Sequence, residues 1–117
     1  RAAQEGVVFA LARGLSIMRG MGIRVGAVRA GDANMFKSPI FTEAFAAVTG
    51  SIVEIMNTDG AAGAARGAGL GAGIYKNDRE AFRGLESVRT VEPDPGVIDP
   101  YRKAFQMWEE VLSTYLG

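Results

Sequence analysis

Apolar residues recur at helical spacing through the first twenty-one positions. Val8, Leu11, Leu15 and Met18 form one stripe, and Val7, Ala10, Ile17 and Met21 form a second beside it. Two stripes predict a helix covered on both flanks, lying on a sheet beneath other helices, with Gln4, Arg13 and Arg19 facing solvent. Glu5-Gly6 marks either a close backbone approach or a tolerated helix glycine. Gly20 and Gly22 end the helix, and Ile23 to Gly26 lead into a short strand, Ala27 to Ala30. A polar loop follows, from Gly31 to Lys37. Ser38 reads as an N-cap and Pro39 as the first helical residue, with Phe41, Ala44, Phe45 and Val48 on one face and Gly50 closing the helix.

A second strand, Ile52 to Met56, is continuously apolar apart from Glu54, as strands buried on both faces are. Asn57 to Gly60 is a turn with an N-cap at either Thr58 or Asp59. In the biased segment beyond it, Gly63, Gly67 and Gly71 recur every four residues with Ala64, Ala68 and Ala72 alongside. That spacing strips one helical face bare and predicts close approach by another backbone, since each mid-helix glycine costs about 0.5–1 kcal/mol against alanine. A flexible linker would waste Leu70, Ile74 and Tyr75. Asp78 is expected to cap a short turn through Phe82, and Ser87 to Glu92 to form an edge strand with Val88 and Val91 inward. Pro93 to Gly96 reads as a surface turn. Asp99-Pro100 reads as the start of a last helix, striped by Tyr101, Phe105, Trp108, Leu112 and Tyr115 as a docking surface.

Composition narrows the chemistry. At 117 residues and 48% apolar content the chain is one domain or a piece of one. Its opening inside a helical pattern leads us to expect a C-terminal piece of a longer protein. Thirteen basic residues balance thirteen acidic ones, so no bulk field draws nucleic acid or an anionic membrane. Cysteine and histidine are both absent, which removes thiolate chemistry, the commonest general base and the commonest metal ligands. No apolar run reaches bilayer length and no secretory signal is visible, so a cytoplasmic location is expected.

Strand, glycine turn and capped helix together form a geometry that points backbone N–H groups at an anion or nucleotide. Asp32 alone among the carboxylates sits in that loop. It accepts either from ribose hydroxyls or from the loop's own backbone. Asn34 offers a donor and an acceptor, suited to an adenine edge or a loop amide. Lys37 either reaches a phosphate or is solvated. Glu43 and Glu54 read as solvated, and Asp59, Asp78 and Asp99 as caps. Gly67, Gly69 and Ala72 match a dinucleotide spacing, G-x-G-x-x-A, but fall about ten residues past the strand, whereas such glycines open the helix. No general base with an orienting partner is present.

The order of these features resembles the FGGY carbohydrate kinases, xylulose kinases most of all. Arg1-Ala2-Ala3-x-Glu5-Gly6 with Phe9-Ala10-Leu11 looks like their R-A-x-x-E-G-x-x-x-A-L helix. Gly31 to Ser38, with Phe41, Ala46-Ala47 and Thr49-Gly50, is similar to their adenosine segment. Gly63-Ala64-Ala65-Arg66-Gly67-Ala68-Gly69 resembles the helix after it, and Tyr101 to Leu116 the closing helix. The resemblance implies an α/β fold with helices packed on a small sheet. This would be the partial RNase H-like ATPase domain of the actin, Hsp70 and sugar-kinase superfamily. Residues 1–117 would then be the C-terminal, nucleotide-side portion, without the N-terminal sugar-binding domain.

It further implies ATP as cofactor, held at its adenosine end by Gly31, Asp32, Ala33, Asn34 and Ser38, with the small-residue helix at an interdomain hinge. The Mg²⁺ ligands, the catalytic Asp and the sugar contacts would lie outside this chain. The activity implied is phosphorylation of a sugar, D-xylulose foremost, by a full-length protein, the fragment alone being inactive. A sugar and a second copy in a homodimer are the expected partners, nucleic acid and membrane not. The glycine run is thinned to Gly31-Asp32-Ala33, and Asn34 to Lys37 lengthen the loop. Two other classes remain open: the nucleotide-binding half of an ATPase that is not a sugar kinase, and a dinucleotide-binding fragment.

Overall fold

Ser38 and Pro39 begin the helix around which the rest packs. In the computed structural model, which describes residues 1–116, the Ser38 hydroxyl accepts from Phe41 N at 3.4 Å, and Pro39 occupies the first turn, where a missing N–H costs nothing. This helix, α2 (Pro39–Thr49), ends at Gly50, whose φ of 66° is the left-handed conformation glycine adopts freely. Phe41, Ala44, Phe45, Ala46 and Ala47 are all buried. Alanines on several sides let neighbours approach from several directions, and three do.

Beneath α2 lies a three-stranded sheet in the order β1 (Ala27–Gly31), β2 (Ile52–Met56), β3 (Ser87–Val91). β1 and β2 run parallel, with Ala27 opposite Ile52 and Gly31 opposite Met56, so β1, α2 and β2 form one crossover unit. β3 pairs antiparallel with β2, with an irregularity beside Ile55 and Met56. Val53 and Ile55 point at α2 and are fully buried. The expectation of a strand covered on both faces is corrected here. Ile52 is 40% exposed, and Arg29 and Glu54 pair at 2.9 Å on the opposite face. The run of apolar side chains along β2 serves one covered face and one open face.

Helix α1 (Ala2–Gly20) packs on α2 through Val8, Phe9 and Ala12. Its two predicted stripes are not both covered, since Val7, Leu11, Ile17, Met18 and Met21 are exposed. Phe9 instead meets the aromatic face of α5 (Pro95–Leu116), its ring 5.7 Å from Phe105 and 6.1 Å from Trp108. The three polar residues assigned to solvent are cross-links. Gln4 Oε1 accepts from the Ser38 hydroxyl at 2.8 Å, and Arg13 meets Glu109 at 3.4 Å. Arg19 donates to Thr49 O and Ser51 Oγ, both at 2.8 Å. A long polar side chain marks a solvent face only when no neighbouring chain end needs its donors.

Two boundaries move and one strand residue turns outward, each for a local reason. α5 begins at Pro95, one turn before the expected Asp99-Pro100, because Asp94-Pro95 is an equally good cap and first residue. Asp94 Oδ1 accepts from Gly96 N at 2.9 Å, and Pro100 is carried inside the helix. The short helix α4 (Asp78–Ala81) is capped by Asn77, not Asp78, through Glu80 N at 2.9 Å. In β3, Val91 faces inward opposite Val53, but Val88 is 52% exposed, since residues three apart on a strand point to opposite sides. Helix α3 (Gly60–Gly71) stands on its N-cap, Asp59, which accepts from Ala62 N at 2.8 Å.

The Cα radius of gyration is 16.1 Å, against the roughly 13 Å expected for a closed domain of this length. The excess reflects an elongated shape, with principal extents of 47 × 31 × 24 Å.

Two stability measurements separate core from surface. Phe9→Ala is expected to lower the unfolding free energy by about 3–5 kcal/mol in urea titration, and Tyr115→Ala, at an 85% exposed site, by no more than about 0.5 kcal/mol. Arg19→Ala removes two charge-assisted hydrogen bonds, one of them to buried Ser51, and is expected to cost about 1–3 kcal/mol in the same titration.

Candidate functional site

The end of β1 is pressed against the turn that follows β2. A Cβ placed on Gly31 would lie 2.6 Å from Thr58 O and 3.2 Å from Asp59 Cα, so only glycine lets these two backbones meet. Met56 O binds the junction by accepting from Asp32 N at 3.0 Å and from Thr58 N at 2.8 Å. Ala33 N turns back to Gly31 O at 2.8 Å. The loop amides at Asp32 and Ala33 are therefore committed to the fold.

Beyond them the chain coils into a 3₁₀ turn, Asn34–Lys37. Asn34 has φ 55°, the single left-handed non-glycine among the described residues, a conformation asparagine tolerates best of the side-chain-bearing residues. Phe36 anchors the turn from below, its ring edge-on to Phe41 at 5.0 Å and to Phe45 at 5.7 Å. Met35 and Asn34 are left on the outside, and Lys37 is exposed.

Five residues were singled out in this loop, and the structure divides them. Gly31, Ala33 and Asn34 come together with Val7, Leu11, Met35, Phe36, Phe41 and Gly60 around a cavity of about 400 Å³. Asp32 does not face it. Its Oδ1 lies 4.0 Å from Arg89 Nη1. The Ser38 hydroxyl accepts from Phe41 N and donates to Gln4. Val7, Leu11 and Gly60 lie outside the predicted set. Val7 and Leu11, one from each apolar stripe of α1, are stripe residues left unburied, whereas no pattern in the sequence marks Gly60.

On the other side of Gly31 a second cavity, about 520 Å³, opens over the sheet face between Arg29, Glu54, Met56, Thr58, Phe82 and Leu85. Glu54, expected in solvent, is half-buried there against Arg29.

The small-residue helix is used differently from the expectation of close approach. Nothing lies within 4 Å of a Cβ built at Gly63, Gly67 or Gly71, whereas one at Gly69 would stand 2.6 Å from the Tyr75 ring. The chain folds back after α3 and lays Tyr75 on Gly69, leaving the other glycines facing open space. Gly67 and Gly69 sit in the second half of α3, so the G-x-G-x-x-A spacing does not open a helix after a strand.

Among the described residues no cluster of three or more His, Cys, Asp or Glu side chains could hold a metal ion. No described helix is long and apolar enough to cross a membrane. The hollow beside the strand-to-helix loop is an open one, walled mainly by apolar residues of α1 and the loop and bordered by the first residue of α3.

No protein-family model matches the chain. It is 33% identical to the L-xylulose/3-keto-L-gulonate kinase of Escherichia coli (strain K12) over 122 residues, an alignment that takes in all of this chain and 24% of that protein. The fold matches the crystal structure of xylulose kinase from Rhodospirillum rubrum with a TM-score of 0.75 and 20% identity, covering 97% of this chain and 24% of that one. The chain thus spans about a quarter of the length of either protein. The α/β architecture is that of a sugar-kinase ATPase fold. In sequence and in fold, the resemblance of this chain to the xylulose kinases of the FGGY carbohydrate kinases holds along essentially its whole length.

Proposed function

We propose that the protein carrying this chain is a cytoplasmic ATP-dependent sugar kinase whose substrate is a ketose, D-xylulose foremost. Residues 1–117 are its C-terminal, nucleotide-side portion. The observation that carries this reading is the cavity of about 400 Å³ beside Gly31, Ala33 and Asn34, in a chain similar from end to end to a quarter of a sugar kinase. The adenine ring fits between Met35, Val7 and Leu11. Ala33 and Asn34 border it, and the polar Asn34 side chain is free to meet its edge. ATP supplies the phosphoryl group, and Mg²⁺ is held by carboxylates elsewhere in the protein.

This chain's own residues bind and orient the nucleotide, since phosphoryl transfer rests mainly on positioning and charge neutralisation. Asp32 and Ser38 shape the loop and do not touch the ligand. The bare face of α3 at Gly63, Gly67 and Gly71 receives the other lobe as the enzyme closes, and the sugar is held by that lobe. The two similar kinases carry different sugars in their names, so D-xylulose, L-xylulose and 3-keto-L-gulonate form the first assay panel. A homodimer is the assembly we expect.

Sugar-dependent ADP release by the full-length protein tests the reading. Gly31→Ala forces Thr58 away and is expected to raise the KM for ATP about tenfold or more while the sugar KM stays within about twofold. Asn34→Val, which puts a β-branched residue at positive φ, is expected to act in the same direction. Equal rises in both KM values would contradict the loop's role. ADP release indifferent to every sugar would favour an ATPase of another kind.

A further inference from the structure

The loop beside the cavity is gripped from a strand fifty-three residues further on. Arg89 stands on edge strand β3 opposite Ile55, on the sheet face that α2 covers. Its guanidinium crosses the N-terminal end of α2 and donates through Nη2 to Phe36 O, while Nη1 lies 4.0 Å from Asp32 Oδ1. The contact with Phe36 O falls inside the 3₁₀ turn, and the contact with Asp32 falls at its entrance. One planar cation therefore spans the segment whose middle residues, Ala33 and Asn34, face the cavity.

We propose that Arg89 is a positioning residue for the nucleotide. It holds the loop from its polar side while Phe36 holds it from the apolar side. The inference rests on the proposed function and adds to it a residue that touches neither ligand nor cavity.

The geometry gives each hold its own task. The Phe36 ring, wedged against Phe41 and Phe45, fixes how deep the turn sits. It does not fix rotation of the turn about that ring. The guanidinium hydrogen-bonds the Phe36 carbonyl through Nη2 and faces the Asp32 carboxylate as a 4.0 Å ion pair through Nη1, and the two contacts together bias the tilt of Ala33 and Asn34. That tilt matters because Asn34 is held at φ 55°, a conformation that the surrounding structure must impose. An ordered loop binds more tightly than one ordered only on binding. Other charged groups lie close by. Glu43 and Asp94 line a cavity beside Arg89 with Pro39, Thr42 and Val91. Neither carboxylate is hydrogen-bonded or ion-paired to Arg89, whose donor goes to Phe36 O.

The test is a steady-state comparison in the full-length protein, with hydrogen exchange beside it. Arg89→Ala is expected to raise the KM for ATP roughly tenfold, leaving kcat and the sugar KM within about twofold. Arg89→Lys, which keeps one donor but loses the fork, is expected to recover part of the loss. Amides from Asp32 to Lys37 are expected to exchange about tenfold faster in Arg89→Ala, with those of α1 and α5 unchanged. An unchanged ATP KM together with unchanged exchange would overturn the proposal. So would ATP and sugar KM rising together with a lowered melting temperature, the signature of a purely structural arginine. Should the wild-type protein phosphorylate no sugar, the proposed function fails. Exchange in the loop, read with and without ATP, still decides whether Arg89 orders it.

Discussion

Everything at the candidate site depends on two backbones meeting where side chains are excluded. Gly31 closes on Thr58 and Asp59 because it lacks a Cβ, and Met56 O accepts from the amides on both sides of the contact. The parallel register of β1 and β2 brings Gly31 opposite Met56, so the loop leaving one strand and the turn leaving the other emerge side by side. One loop winds into the 3₁₀ turn and the other starts α3. A cavity between them follows from that geometry, with Gly31 as the partition between it and the opening over the sheet face. Ligands of open α/β sheets collect at such strand ends, where successive loops diverge.

The packing of α2 makes this junction rigid. Phe41 and Phe45 receive Phe36 on one side and the sheet on the other, and the alanines between them let α1 and α5 come close. Arg19 fastens the far end of α2 and Gln4 its near end. The loop is thus held to a helix fixed at both ends. Three faces remain open: one side of the sheet, the exposed residues of α1 and the glycine face of α3. For a chain spanning about a quarter of the proteins it resembles, open apolar faces are the expected consequence.

Local signals in the sequence were read well where chemistry and geometry coincide. Ser38-Pro39 and Gly50 begin and end α2 because their side chains, or the lack of one, suit those positions, whereas the sequence leaves the cap of α3 between Thr58 and Asp59 and the structure places it at Asp59. Where two residues offer the same chemistry, the sequence does not choose between them, as with Asp94-Pro95 and Asp99-Pro100, or Asn77 and Asp78. Tertiary pairings were illegible. Nothing near Gln4, Arg13 or Arg19 marks them as cross-links, and nothing in β3 signals that Arg89 reaches Phe36. At the candidate site, the sequence pattern marks the loop from Gly31 to Ser38 but not the contacts its side chains make. Nothing in the sequence shows that Asp32 faces Arg89 or that the Ser38 hydroxyl donates to Gln4. Within this chain the close contact of α3 falls on Gly69, under a tyrosine six residues on, while Gly63, Gly67 and Gly71 face open space.

The central claim is that the wall formed by Ala33, Asn34 and Met35 receives the base of ATP. A crystal structure of the full-length protein with a non-hydrolysable ATP analogue measures this directly. We expect the adenine ring within about 4 Å of Ala33 and Met35, the distance of ordinary apolar contact, with Gly31 still closed on Thr58. An adenine bound elsewhere, with this cavity empty or filled by Met35 itself, would contradict the account.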